Sequence, residues 1–178
     1  ITARPGLRSF AVRGTFDDCQ RMVKEAFADP ALASLELTSA NSINVGRLLP
    51  QMLYYLWGAK QARDTLGPDA ELSVVVPSGN LGNLTAGIMA NRMGLTGVRF
   101  VAAHNRNDYF ARYLAGSAEP YEFAPSVTTL SNAMDVGAPS NFERLHALLG
   151  DSLRDTVAGE AVNDAATLYR MRDRKSVV

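Results

Sequence analysis

Apolar positions along the chain switch between two periods, and the switches predict alternating strands and helices. Residues 9–13 alternate, which predicts a short strand. Thr15-Phe-Asp-Asp18 reads as a capping box with Asp in place of the usual Glu. The helix after it places Cys19, Met22, Val23, Ala26 and Phe27 on one face, and Asp29-Pro30 ends it. Residues 35–37 predict a second short strand. A polar run, Ser39-Ala-Asn-Ser-Ile-Asn44, then supplies two good helix N-caps. In the following helix Val45, Leu48, Leu49, Met52, Leu53 and Leu56 form the clearest apolar stripe in the chain. Arg47, Gln51 and Tyr55 fall off that stripe on a shared face. Pro50 either kinks this helix or marks its true start.

Gly67-Pro68-Asp69 predicts a turn. The continuous apolar run 72–76 predicts a buried parallel strand. A Gly/Asn loop over 77–83 leads into a helix at 84–93, ended by Gly94. A second buried strand follows at 98–103, then a polar loop from His104 to Asp108 and a short helix through Leu114. Residues 116–127 read as irregular. Ser140-Asn-Phe-Glu143 is a capping box proper, followed by Phe142, Leu145, Leu148 and Leu149. Strands alternating with helices at these lengths predict an α/β domain, a parallel sheet flanked by helices in αβα layers and covered on both faces.

Composition narrows the function classes. Lys plus Arg number 18 and Asp plus Glu number 18 in 178 residues, so no global field favours nucleic acid or an acidic membrane. No apolar run approaches the roughly 18 residues of a membrane span. The one cysteine, Cys19, allows no internal disulfide, and the expected location is cytoplasmic. Cys19 is expected to pack in the core; His104 and His146 have no metal-ligand spacing, and His146 is expected at the surface. Asp17 and Asp18 read as helix-start carboxylates. Asn105-Arg-Asn-Asp108 follows a strand end, where α/β sheets bind ligands, but reads as loop structure first.

Two loops carry candidate chemistry. Strand, small-residue loop and helix N-terminus at Ser78-Gly-Asn-Leu-Gly-Asn83 form an anion site: free amide N–H groups and the helix dipole both favour negative charge. Gly79 and Gly82 let backbone approach a phosphate, and Asn80 and Asn83 add amide donors. The loop has neither the lysine of a nucleotide P-loop nor dinucleotide Gly spacing. A tight turn with asparagine caps is the competing reading. The second constellation, Asn41-Ser-Ile-Asn44 with Arg47, brings hydroxyl, amide and guanidinium within about one and a half helical turns. Arg grips phosphate or carboxylate in a bidentate fork; ordinary capping by Ser42 beside a solvated Arg47 is an equal reading.

Four segments resemble the threonine synthase family, in the family's order and at similar spacing. They are Gly14-Thr-Phe-Asp-Asp-Cys-Gln20; Ser39-Ala-Asn-Ser-Ile-Asn44 with Arg47 and Gln51; Pro77-Ser-Gly-Asn-Leu-Gly-Asn83; and Ser131-Asn-Ala-Met-Asp135 with Pro139-Ser-Asn-Phe-Glu-Arg144. The resemblance runs from about Val12 to at least Leu149. It implies a fold type II pyridoxal-phosphate enzyme, with the tryptophan-synthase β-like fold, that converts O-phosphohomoserine and water to threonine and phosphate. It also implies that Gly79, Asn80, Leu81, Gly82 and Asn83 cradle the cofactor phosphate. Asn41, Ser42 and Arg47, helped by Asn80, match positions holding the substrate phosphate. Residues 131–135 lie near the cofactor ring in the family; a structural turn is the equal reading.

The family also needs a lysine that forms the internal aldimine. Lys24, Lys60 and Lys175 are the lysines here, and none has the family's Phe-Lys-Asp context. The resemblance therefore implies that residues 1–178 are a central portion of a longer polypeptide, with no catalytic residue of their own. Its partners would be the substrate and the remainder of that polypeptide. Two alternatives stand beside this: a phospho-lyase of the same fold, and an inert fragment that binds only phosphate.

Overall fold

The computed structural model describes residues 5–173, side chains up to Tyr169, so the basic end at 170–175 lies largely outside them. The chain divides into two units, Ile1–Leu37 and Thr38–Val178. In the first, the expected capping box forms at the start of α1 (Phe16–Ala28). Thr15 Oγ1 accepts the Asp18 N–H at 3.3 Å, and the Asp18 carboxylate accepts the Thr15 N–H at 2.8 Å. Asp is one methylene shorter than Glu but still reaches. Cys19, Val23 and Ala26 are half-buried, whereas Met22 and Phe27 are exposed. Asp29 then caps a 3-10 turn, Pro30–Leu35, and Glu36 ends it in the left-handed region at φ 47°. The strand expected at 35–37 is therefore not formed: a turn and a left-handed residue break the extended run. Residues 9–13 do not form one either. They stay exposed and pair with no strand, so their alternation has no sheet to serve.

The second unit opens with a 3-10 turn, Val45–Arg47, capped by Asn44, whose Oδ1 accepts the Gly46 N–H at 2.9 Å. It runs into α2 (Leu48–Leu66). Pro50 stands in the first turn of α2, where its missing N–H breaks no helical bond, so it marks the start and makes no kink. There follow β1 (Leu72–Pro77), α3 (Gly82–Arg92), β2 (Val98–His104), α4 (Tyr109–Leu114), α5 (Phe142–Leu149), α6 (Leu153–Thr156), β3 (Val157–Ala161) and α7 (Asp164–Asp173). The strands form one parallel sheet in the order β1-β2-β3. Leu72 pairs with Val98 and Pro77 with Ala103; Phe100 pairs with Val157 and His104 with Ala161.

Helices cover one face of this sheet. Val76, Phe100, Ala102, His104 and Val157 are buried there. On the opposite face Ser73, Val75, Arg99, Ala158 and Glu160 are exposed. The α/β class with a parallel, helix-flanked sheet is as expected; among the described residues of this unit the second face is open. β1 is an edge strand, and its outer edge pairs with no described residue.

The buried stripe of α2 differs from the expected one. Leu48, Met52, Tyr55 and Ala59 are inside, and Val45, Leu49, Leu53 and Leu56 are outside. Both sets fit a helical period. What selects between them is α3, whose Gly87 leaves room for rings. The Tyr55 ring stands edge-on to Phe100 at 5.5 Å, and its hydroxyl donates to Asn83 Oδ1 at 2.5 Å. An aromatic with a satisfied hydroxyl packs inside better than a leucine facing no cavity. α3 stops where Gly94 takes φ 114°: the Leu95 N–H reaches Ala90 O and the Gly94 N–H reaches Asn91 O, both at 3.0 Å, a Schellman ending. β3 had no counterpart in the sequence pattern, because Val-Ala-Gly-Glu-Ala has little strand propensity. Its pairing with β2 makes it a strand, and Gly159 lets Ala111 of α4 pack directly on it.

Candidate functional site

The loop after β1 and the ends of β2 and β3 meet at the carboxyl edge of the sheet, the edge at which α/β sheets bind ligands. Ser78 continues the β1 ladder, its N–H on Ala103 O at 2.8 Å, and its hydroxyl returns to Val76 O at 2.8 Å. The chain then turns sharply. Leu81 takes φ 60° directly before α3, a left-handed conformation that costs a leucine about 1–2 kcal/mol. Its side chain is buried in the core, which holds the turn in place. Among the described residues, the backbone N–H groups of Gly79, Asn80, Leu81, Gly82 and Asn83 have no protein acceptor. They sit on the N-terminus of an 11-residue helix. Beside them is a cavity of about 230 Å³, lined by residues 77–84 with Ser42 and Gln51.

Neighbouring segments crowd this loop. A Cβ on Gly79 would lie 3.0 Å from Met134 Cα, and a Cβ on Gly82 would lie 2.7 Å from Ser42 Cβ. The side-chain amides are already engaged. Asn80 Nδ2 donates to Ser42 Oγ at 2.8 Å. Asn80 Oδ1 accepts from the Ser140 N–H at 2.6 Å and from Ser140 Oγ at 3.1 Å. Asn83 Nδ2 donates to Gln51 Oε1 at 3.2 Å. The extra donors expected from Asn80 and Asn83 therefore serve as struts, and the backbone amides of these cavity-lining residues are the donors left without a partner among the described residues.

The second constellation separates on folding. Ser42 reaches the cavity, and so does Gln51 from the first turns of α2. Asn41 closes an Asx turn, its Oδ1 accepting the Ile43 N–H at 2.8 Å. Arg47 is exposed and donates to Ala40 O, and neither residue lines the cavity. Ser140, Asn141 and Arg144 do not line it either, but they bond to Asn80 and Ser42, which do. The capping box expected at 140–143 is not formed: Asn141 is the N-cap residue of α5 without a side-chain cap, because Asn80 takes the Ser140 groups. A ring cluster fixes this end of α5, with Phe142 fully buried and 4.9, 5.3 and 5.2 Å from the rings of Tyr113, Tyr109 and Tyr121. Its neighbour His146 is half-buried, 5.7 Å from both Tyr121 and Phe142, rather than at the surface. The pairing of Asn80 with Ser140 had no sequence signal beyond two polar loops 60 residues apart.

Residues 129–135 are knit to the loop after β2. Buried Asn105 donates through Nδ2 to Thr129 Oγ1 and Asp135 Oδ1, both at 2.8 Å, and Asp135 Oδ2 accepts the Thr129 N–H at 3.0 Å. This network sets Met134 and Val136 against Gly79. His104, expected in a loop, is instead the buried last residue of β2. Burial pushes its imidazole down to about 4, against a weaker opposing pull from Asp108 and the Ser78 backbone. Between the ordinary value of 6.5 and about 4, the unfolded chain binds a proton at His104 that the folded chain does not. Stability should therefore fall as pH drops through that window, by roughly 2–3 kcal/mol by about pH 4.5. Urea midpoints between pH 7 and that pH check this, and His104→Gln should flatten the trend.

No metal cluster exists among the described residues, and no helix among them is long and apolar enough to cross a membrane. No protein-family model matches the chain. Individual proteins do. Threonine synthase from Serratia marcescens is 42% identical over 173 residues, which is 94% of this chain and 39% of that protein. Threonine synthase from Escherichia coli K12 is 41% identical over 177 residues, 96% of this chain and 40% of that protein. The crystal structure of Escherichia coli threonine synthase superposes with a TM-score of 0.81 at 40% identity, over 93% of this chain and 39% of that one. A pyridoxal-phosphate-bound threonine synthase from Brucella melitensis gives 0.66 at 33% identity, covering 84% of this chain and 37% of that one. Maize serine racemase, at 18% identity and a TM-score of 0.50 over 68% of this chain and 34% of that one, shares the fold alone, that of the fold type II enzymes. The chain spans about two-fifths of the length of these curated relatives, and along most of its own length it is homologous to threonine synthase in sequence and in backbone.

Proposed function

We propose that the chain carries the phosphate-binding part of a threonine synthase active site. The complete polypeptide would convert O-phosphohomoserine and water to threonine and inorganic phosphate, and would work in the cytoplasm. The observation that carries this is the row of free N–H groups at Gly79, Asn80, Leu81, Gly82 and Asn83, on the N-terminus of α3 and beside a cavity. A phosphate dianion fits that donor set: the lining contains no carboxylate, and the helix dipole adds positive potential. Gly79 and Gly82 have no room for a Cβ, so the backbone stays as near as a phosphate needs. These five residues would hold the phosphate of pyridoxal phosphate. When bound, that cofactor supplies an electron sink for breaking bonds next to the amino-bearing carbon.

Ser42, with Asn80 behind it, would receive the substrate phosphate at the other side of the cavity. Its hydroxyl already accepts from Asn80 and keeps its own proton to donate. The family resemblance adds Asn41 and Arg47. Arg47 would have to leave Ala40 O to reach an anion, and Asn41 acts through the turn it closes. Holding the leaving group rigidly places the bond to be broken, and unphosphorylated homoserine lacks that grip.

The lysine that bonds the cofactor would come from outside residues 1–178. Lys60 is exposed, ion-paired with Asp64 at 2.5 Å, and stands nine residues along α2 from Gln51, roughly 13 Å of helix. Lys24 is also exposed. Two measurements on the full-length polypeptide test this. It should release threonine and phosphate in equal amounts from O-phosphohomoserine; phosphate without threonine would mean a different phospho-lyase. After borohydride reduction, peptide mapping should place the pyridoxyl group on a lysine other than Lys24, Lys60 and Lys175. A label on Lys60 would overturn the assignment.

A further inference from the structure

We propose that Arg144 is a positioning residue that sets the substrate-phosphate end of the site and ties it to the cofactor cradle. The proposal rests on reading Ser42 as a substrate-phosphate ligand. Arg144 Nη1 donates to Ser42 O at 2.8 Å and to Asn141 Oδ1 at 2.5 Å, and Nη2 donates to Ile43 O. Asn141, fully buried, passes the restraint on: its Nδ2 donates to Asn80 O at 3.0 Å. Asn80 closes the circuit through Nδ2 to Ser42 Oγ. One guanidinium thus joins segments about a hundred residues apart in the chain.

The partners decide what Arg144 does. All three are neutral oxygens, and among the described residues Arg144 makes no ion pair. It contributes a planar fork of donors that fixes two consecutive carbonyls, a task the single ammonium of a lysine performs less well. The first of those carbonyls belongs to the Ser42–Ile43 peptide and the second to the peptide after it, so the fork fixes the backbone that carries the Ser42 hydroxyl. The loop over 39–44 has its own turn bonds, but they lie within the loop. Among the described residues, only Arg144 and Asn80 anchor its Ser42 end by hydrogen bonds to α5 and to the cradle. The cradle keeps its own support from Ser140, so loss of Arg144 should disturb the substrate side more than the cofactor side.

The test uses the full-length holoenzyme with Arg144→Gln, Arg144→Lys and Ser42→Ala. Arg144→Gln should raise KM for O-phosphohomoserine and Ki for inorganic phosphate about tenfold or more. It should leave kcat and the Kd for pyridoxal phosphate within about threefold. Arg144→Lys should recover part of the KM change. A general folding defect would instead lower kcat or cofactor affinity without that split, and that result overturns the proposal. So does a KM near that of the parent in Arg144→Gln while Ser42→Ala raises it. If Ser42→Ala leaves KM unaltered, the substrate reading of Ser42 fails first, and the proposal with it. Should Arg144→Gln not fold, Arg144→Lys decides alone: a KM rise of threefold or more supports the proposal, and an unchanged KM overturns it.

Discussion

Gly82→Ala in the full-length polypeptide should weaken pyridoxal phosphate binding by about ten- to a hundredfold. The added methyl would sit 2.7 Å from Ser42 Cβ and 3.2 Å from Ser42 Oγ. Neither neighbour can give easily. The Ser42 carbonyl is held by Arg144 and its hydroxyl by Asn80, each at 2.8 Å, so the loop over 39–44 and the cradle must move apart together. Overpacking of this kind costs about 1–3 kcal/mol. It acts on the first N–H groups of α3, the groups that the proposed cradle uses. Fluorescence titration with the cofactor reads the affinity, and a urea midpoint shows how much of the effect is global. A Kd within threefold of the parent would remove Gly82 from the cradle.

Gly87→Ala should destabilise the fold by about 2 kcal/mol, against the usual direction for a glycine inside a helix. An ordinary Gly→Ala change there gains up to about 1 kcal/mol. At this position the methyl would meet Phe100 Cε1 at 2.5 Å, Phe100 Cζ at 2.9 Å and Tyr55 Cζ at 3.1 Å. Phe100 is almost wholly buried, and Tyr55 is tethered by its hydroxyl to Asn83, so steric cost at the upper end of the overpacking range wins. Gly58→Ala makes the control. It is also a helical glycine, but a Cβ there meets nothing within 4 Å, so it should be neutral or stabilising. Urea unfolding of the two variants side by side checks both; a Gly87→Ala protein as stable as the parent would mean that α2, α3 and β2 are looser than these distances state.

The strand, loop and helix around Ser78 are legible in the sequence because each part is written in local chemistry. An apolar run, two glycines with two asparagines, and a helix ended by Gly94 determine one another over twenty residues. Features that depend on a partner are less legible. The stripe through Leu49, Leu53 and Leu56 has a good helical period, but the period does not say which of two adjacent stripes a neighbour will take. Phe100 and Gly87 take the one containing Tyr55. Ser140 and Glu143 have capping-box spacing, yet Asn80 offers the Ser140 groups a better acceptor from across the site. Arg144 carries little local signal, since two of its three oxygens come from Ser42 and Ile43, about a hundred residues away. Residues 35–37 and 157–161 are short enough that the surroundings decide: the first become the end of a turn, the second a strand beside β2.

The open side of the sheet bears on how residues 1–178 behave when handled by themselves. Among the described residues β1 offers an unpaired row of amides and carbonyls, with Val75 exposed beside it and Leu53, Leu56 and Trp57 exposed on the outer side of α2. An uncapped, apolar-flanked edge is a template on which strands of other molecules grow. Preparations of residues 1–178 alone are therefore expected to self-associate as concentration rises. Val75→Lys, which puts a charge on the open face beside that edge, is the simplest remedy.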